Sequence, residues 1–289
     1  MSKAQVHKRE FDSLDEFVEA ASSKASKHWT RSRASQDTDD PEWAGSKTYQ
    51  DAVKVARDGW TKGRKLVHAS LSEILESGAA QEADADCRDY EVAGFLPNVP
   101  LACAGELECM YDLGEDDTAS QPILRIWVMI NVNCNVSAKA MTNRAAAVCA
   151  LVSELEAAGQ SLEVSALFTC RNRETDSKFQ YIINLKRAGE ILTIDDIAFG
   201  LGHPAMTRRL GFSMMEVDDW VAGHGSDKNA YHYGYGYAAS LSASEIPHDV
   251  IYLREITGHN ESAYRTPEKA MAYVRRLFEI EQDAKLQDA

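Results

Sequence analysis

The sequence predicts an α/β fold, a sheet flanked by helices, preceded by a helical N-terminal region. Three observations predict it. Ile123 to Ile130 is an apolar run interrupted only by Arg125, as expected of a strand buried on both faces. Behind it, Met141, Ala145, Val148, Val152 and Leu155 fall on one helical stripe, which Gly159 closes. Two more apolar runs, Leu162 to Thr169 and Phe179 to Leu185, are joined by the short segment "CRNRETDS" and are expected to pair antiparallel.

Taken in order, the first 90 residues read as a helical region and 91–289 as the α/β body. Phe11, Leu14, Phe17, Val18 and Ala21 recur at helical spacing, and Ser32 to Trp43 reads as a polar loop. Thr48-Tyr-Gln-Asp51 has the form of a capping box. The stripe behind it runs from Ala52 through Trp60 and Val67 to Ile74 as one helix. Within that stripe, "GWTKG" (Gly59 to Gly63) offers a tight helix crossing stapled by a buried Trp60, or a binding role for Trp60. The acidic, alanine-rich Gly78 to Asp89 is the expected linker, and "EVAGFLPNVPLACAG" reads as a shaped loop.

Beyond the central strands, Thr193-Ile-Asp-Asp196 is expected to open a helix as a second capping box. That helix runs to Gly202, after which His203-Pro204 restarts the chain. Val250 to Ile256 is a last strand, and Thr266-Pro-Glu-Lys starts the final helix.

The composition narrows the function classes. Of 289 residues, 44% are hydrophobic and 26% charged, the globular range. Lys and Arg number 31 against 45 Asp and Glu, a formal charge of −14, so a broad nucleic-acid surface is not expected. The charge serves plain solubility, and it also fits a protein that docks onto a basic partner. The six cysteines form no CxxC pair, no signal-peptide core opens the chain, and no run suits a membrane span. A soluble protein of a reducing cytoplasm is the expectation.

Three segments are candidates for function. Asn131, Asn133 and Asn135, with Ser137 just beyond, cluster where the first strand of the body ends, a place where open α/β sheets bind ligands. "GHPAMTRRLGF" carries Arg208 and Arg209, a basic pair in an acidic chain that can dock an anionic partner or pair with acids such as Asp195, Asp196 or Glu216. "AYHYGYGYAASL" sets Tyr231, Tyr233, Tyr235 and Tyr237 at period two, on one face if the segment is a strand. Such a row suits a protein contact surface, a plain edge hairpin or, less well at this charge, base stacking. No GxSxG, Walker, HExxH or dinucleotide-binding glycine motif is present.

The order of strand, polar loop, helix, two antiparallel strands, helices, strand and helix resembles a von Willebrand factor A-like, Rossmann-like domain. In that family the first strand ends in Asp-x-Ser-x-Ser, which helps hold magnesium. Here Asn131, Asn133 and Asn135 stand in those places, so the resemblance implies a degenerate metal loop and no bound cofactor. A second resemblance rests on "FDSLDEFVEAA", "GWTKG", "DYEVAGFLPNVPLACAGELECM", "NRAAAVCALVSELEAAG" and "IDDIAFGLGHPAMTRRLGF". Together these are similar to an uncharacterised family of tailed bacteriophages and prophages, which implies a viral protein working in the host cytoplasm. The resulting expectation is a non-enzymatic interaction module with a protein partner, the Tyr231–Tyr237 row and Arg208–Arg209 being its contact residues. A second copy of the chain is also a candidate partner. The two specific forms are an inhibitor of a bacterial defence complex and an adaptor for an AAA-type ATPase. The enzyme alternative is a metal-assisted phosphoesterase using Asp195, Asp196 and His203.

Overall fold

The computed structural model describes residues 6–22, 40–76, 123–171, 177–224, 238 and 240–287, together with three two-residue strands at 90–91, 96–97 and 110–111. Its centre is a five-stranded mixed sheet. Strand β1 is Val6–Phe11, β5 is Leu124–Met129, β6 is Leu162–Arg171, β7 is Lys178–Lys186 and β8 is Val250–Leu253. The order across the sheet is β1-β7-β6-β5-β8. Strands β6 and β7 pair antiparallel, as their short connection requires, and every other pairing is parallel. The two-residue strands β2 (Tyr90–Glu91), β3 (Leu96–Pro97) and β4 (Met110–Tyr111) form a separate sheet, of which only β3 lies wholly in the stretch read as a shaped loop.

The N-terminal region is not helical throughout. "VHKREF" forms β1, an edge strand running parallel to β7 from the Val6–Lys178 pair to Phe11–Ile183. Only Phe11 of β1 is fully buried; His7, Lys8, Arg9 and Glu10 give the edge a charged border, which discourages pairing with another chain. Helix α1 (Leu14–Ser22) follows and turns Leu14, Phe17, Val18 and Ala21 inward. Pro41–Ala44, read as loop, is a one-turn helix α2: Asp40 accepts from the Trp43 N–H at 2.9 Å, Pro41 opens the turn, and Gly45 ends it at φ 80.

The stripe expected as one helix is two. Helix α3 (Tyr49–Asp58) opens with the capping box of Thr48 and Asp51, and stops at Gly59, whose φ is 88. Helix α4 (Thr61–Glu76) begins two residues later. A break there keeps Ala52, Ala56, Val67 and Ile74 all buried although the chain changes direction. These side chains belong to the same hydrophobic core as Ile126, Val148 and Phe168. The composition change near residue 90 therefore does not separate two cores.

Helix α5 (Ala138–Ala157) is buried almost all round from Ala140 to Val152, which explains its weak amphipathicity. It ends in a Schellman motif: the Gln160 N–H donates to the Leu155 carbonyl and the Gly159 N–H to that of Glu156, both at 2.9 Å, with Gly159 at φ 85. After β7, a short helix α6 (Ile194–Ile197) runs straight into a π-helical stretch, Ala198–Gly202; Thr193 makes no side-chain cap, so the expected second capping box does not form. The chain breaks at His203 and resumes at Pro204, and a second π-helical stretch, Met206–Gly211, leads to α7 (Phe212–Val217) and α8 (Asp219–His224). Close approach fixes Gly211, because a methyl group there would lie 2.6 Å from the Phe168 ring. Helix α9 (Pro267–Gln287) completes the described chain. Among the described residues no helix is long and apolar enough to cross a membrane.

Candidate functional site

Strand β5 pairs with β6 on one side and β8 on the other, both parallel, so the strand order switches direction beside it. The loop after β5 thus lies at the topological switch point, where open α/β sheets bind ligands. A parallel bridge from Val132 to Ile256 extends the pairing past β8, and that loop carries the three asparagines.

Each asparagine reaches a different fate. Asn131 is fully buried; its Oδ1 accepts the Thr169 N–H at 2.8 Å, and its Nδ2 has no acceptor. Asn133 Oδ1 accepts the Ala238 N–H at 2.8 Å, tying the loop to the segment before β8. Asn135 is exposed and lies against Gly258, where a methyl group would come within 2.9 Å of its amide nitrogen. Ser137 caps α5, its Oγ accepting the Ala140 N–H at 3.3 Å, while its own N–H donates to Glu261 at 2.8 Å.

These residues do not fit magnesium. Three of the four side-chain oxygens already accept backbone N–H groups, and a hard dication needs several oxygens free to converge on it, preferably anionic. A cation is already fixed in the loop. The Arg208 guanidinium donates to the carbonyls of Asn133 at 3.3 Å and Val136 at 2.9 Å, and a dication beside it would be repelled. Among the described residues no three His, Cys, Asp or Glu side chains are grouped to hold a metal.

Arg208 and Arg209, expected as contact residues, are buried here and hold main-chain carbonyls. Arg208 is 3% and Arg209 2% exposed. Arg208 also donates to the Trp43 carbonyl at 2.6 Å and stacks over the Trp43 indole at 4.6 Å, so it joins α2 to the β5 loop. Burial lowers its pKa to about 10. Arg209 donates to the carbonyls of Ser46 and Lys47 at 3.2 and 3.0 Å. Sequence reading missed a third such residue, Arg144 of α5. It is 1% exposed and donates to Met129 at 2.8 Å and to Leu201 at 3.5 Å. Its only sequence signal was a charge lying among alanines on a buried helix. Trp43 was missed too, although Asp-Pro before it and Gly two residues after it spell a capped helical turn. Its indole N–H donates to the Cys134 carbonyl at 2.7 Å.

Asp195, Asp196 and His203 do not converge. Asp195 pairs with Arg64 at 3.1 Å. Asp196 lines a hollow with Asp12, Asp15 and Arg187, and its pKa is raised by burial first and then by Asp15 and Asp195. His203 lines a different cleft, of ≈ 760 Å³, between α4, α2 and the first turn of α5. Burial pushes its imidazole down to about 3. Its ring stacks on Phe199 at 4.8 Å and meets the edge of Trp60 at 4.4 Å. Gly45 closes over it; a methyl group there would lie 2.7 Å from the imidazole and 2.6 Å from the Ala205 nitrogen. Trp60 is half-buried, and Gly63 makes room for its ring rather than for a second backbone. Tyr231, Tyr233, Tyr235 and Tyr237 lie outside the described residues.

Fold and site together define an α/β protein whose switch-point rim is occupied by its own asparagines and arginines. The chain belongs to the family described as Domain of unknown function (DUF7192), whose model matches residues 2–282. No curated protein and no solved structure matches it.

Proposed function

We propose that this chain is a non-enzymatic protein-interaction module, a phage-encoded, degenerate von Willebrand factor A-like protein. The observation that carries the reading is Arg208, a fixed guanidinium in the loop where such a domain would hold its ion. What this rim does is hold loops together, and chemistry there would need the polar atoms it has already spent on backbone groups. The formal charge of −14 supports a partner with a basic surface, such as a defence nuclease or an AAA-type ATPase. The Tyr231–Tyr237 row is the sequence's candidate for its contact surface.

The test pairs capture with catalysis. Tagged protein is used to recover partners from infected cells with and without EDTA, beside a Tyr233→Ala/Tyr235→Ala variant. The reading expects a partner retained in EDTA and lost in the variant. Metal-dependent hydrolysis of a phosphodiester by the wild type, lost in Asp196→Asn, would replace it with the phosphoesterase.

A further inference from the structure

The cleft that holds His203 has polar groups that no internal contact uses. The Ala205 N–H donates to His203 Nδ1 at 3.1 Å, so in the neutral ring the proton sits on Nε2. That Nε2–H has no acceptor among the described residues, and the ring, 3% exposed, lines the cleft. It is a donor on a buried ring, which Phe199, Trp60 and Gly45 hold in place.

Helix α5 presents its N-terminus to the same cleft through Ala138 and Lys139. Glu261 takes the Ser137 N–H and Ser137 takes the Ala140 N–H, which leaves the N–H groups of Ala138 and Lys139 with no intrahelical acceptor. The terminus of this 20-residue helix favours an anion. Lys62 and Lys139 line the cleft as well, and neither enters an ion pair among the described residues.

The cleft's wall is graded. Lys62, Leu66, Ala69 and Glu73 share one face of α4, and Leu66 is 43% exposed. Lys62 stands near Trp60 and the chain start of α4, and Glu73 about 16 Å further along the helix. Lys62 and the imidazole donor therefore sit at the Trp60 end and Glu73 at the other, with Leu66 and Ala69 between them, while Glu42 of α2 borders the cleft as well.

We propose that this cleft binds a carboxylate carried on an apolar body. The carboxylate would take the His203 Nε2–H and the α5 N–H groups beside Lys62 and Lys139, and the apolar body would lie on Trp60 and Leu66. The proposal is independent of the interaction-module reading, since a small acid or a peptide's C-terminus could supply the group.

The experiment titrates ¹⁵N-labelled full-length protein with 3-phenylpropionate, its neutral amide and inorganic phosphate. Phenylpropionate is expected to shift the Trp60 indole N–H and the Lys139 amide, and to bind at least about tenfold more tightly than the amide, roughly 1.4 kcal/mol. The exposed-site variant Lys62→Gln/Lys139→Gln should weaken the acid at least about tenfold while the amide's affinity stays the same. A pentapeptide ending in phenylalanine, with free or amidated C-terminus, separates the two sources. Tighter binding of its free acid than of phenylpropionate places the carboxylate on a partner chain, and weaker binding places it on a small molecule. Equal affinity for acid and amide overturns the proposal, as does phosphate binding more tightly than either, or no shift at Trp60 and Lys139 at about 10 mM ligand.

Discussion

His203 should make the protein's stability depend on pH over a defined window. Its folded pKa of about 3 lies below the 6.5 of an unfolded chain. Between those values the unfolded state binds the extra proton, so stability is full above pH 6.5 and is lost as pH falls toward 3. The 3.5-unit gap corresponds to about 5 kcal/mol at the acid end, and to about 2 kcal/mol between pH 7.5 and pH 5. His203→Asn is the matched variant, because the amide oxygen can still accept the Ala205 N–H and does not titrate. Losing the ring's packing on Phe199 and Trp60 lowers its stability equally at every pH. Urea melts of both proteins at pH 7.5 and 5 should therefore give free-energy differences that converge by about 2 kcal/mol at the lower pH. Parallel pH dependences would show that the imidazole is hydrated or already charged, and would remove the basis for placing its proton on Nε2. Proton NMR of the His203 ring gives a second reading, with no titration expected above pH 5.

Arg208→Met should cost about 3–5 kcal/mol in urea unfolding, because three carbonyls lose a charged donor, and Arg208→Lys should restore only part of that, since one ammonium cannot span them; a loss under about 1 kcal/mol for the methionine variant would mean the latch is not made. Calorimetry with magnesium should show no site tighter than about 100 μM, and a tighter site abolished by Asn131→Ala would mean the asparagine rim coordinates the ion after all. Gly63→Ala should lower the melting temperature, although alanine favours a helix by about 1 kcal/mol, because the added methyl displaces the Trp60 ring. A raised melting temperature would show that the indole has room to move.

The central strands were legible because burial on both faces leaves a run that resembles nothing else. Leu124–Met129 and the β6–β7 pair lie within a residue or two of where their apolar runs put them. Strand β1 was not legible, since an edge strand bordered by solvent has no reason to alternate, and "VHKREF" offers one buried residue. The division of α3 from α4 was hidden because both helices bury the same stripe. Its signal was Gly59, which a helix interior disfavours but a left-handed turn residue requires. The rim defeated sequence reading for a different reason. Arginine is ordinarily a surface residue, and only the fold brings the carbonyls of Trp43, Asn133 and Val136 to one point around Arg208. The neutral character of the asparagine loop, by contrast, was written in the residues themselves.

Arg208, Arg209 and Arg144 all donate to main-chain oxygens, which every amino acid supplies. Through those bonds each guanidinium constrains the path of its neighbouring segment without specifying a side chain, the Trp43 stack aside. Members of the family can be expected to vary at exposed positions such as Lys47 while the same backbone course persists. Relatedness in this rim is better sought in three arginines and the shape they impose than in matching residues around them.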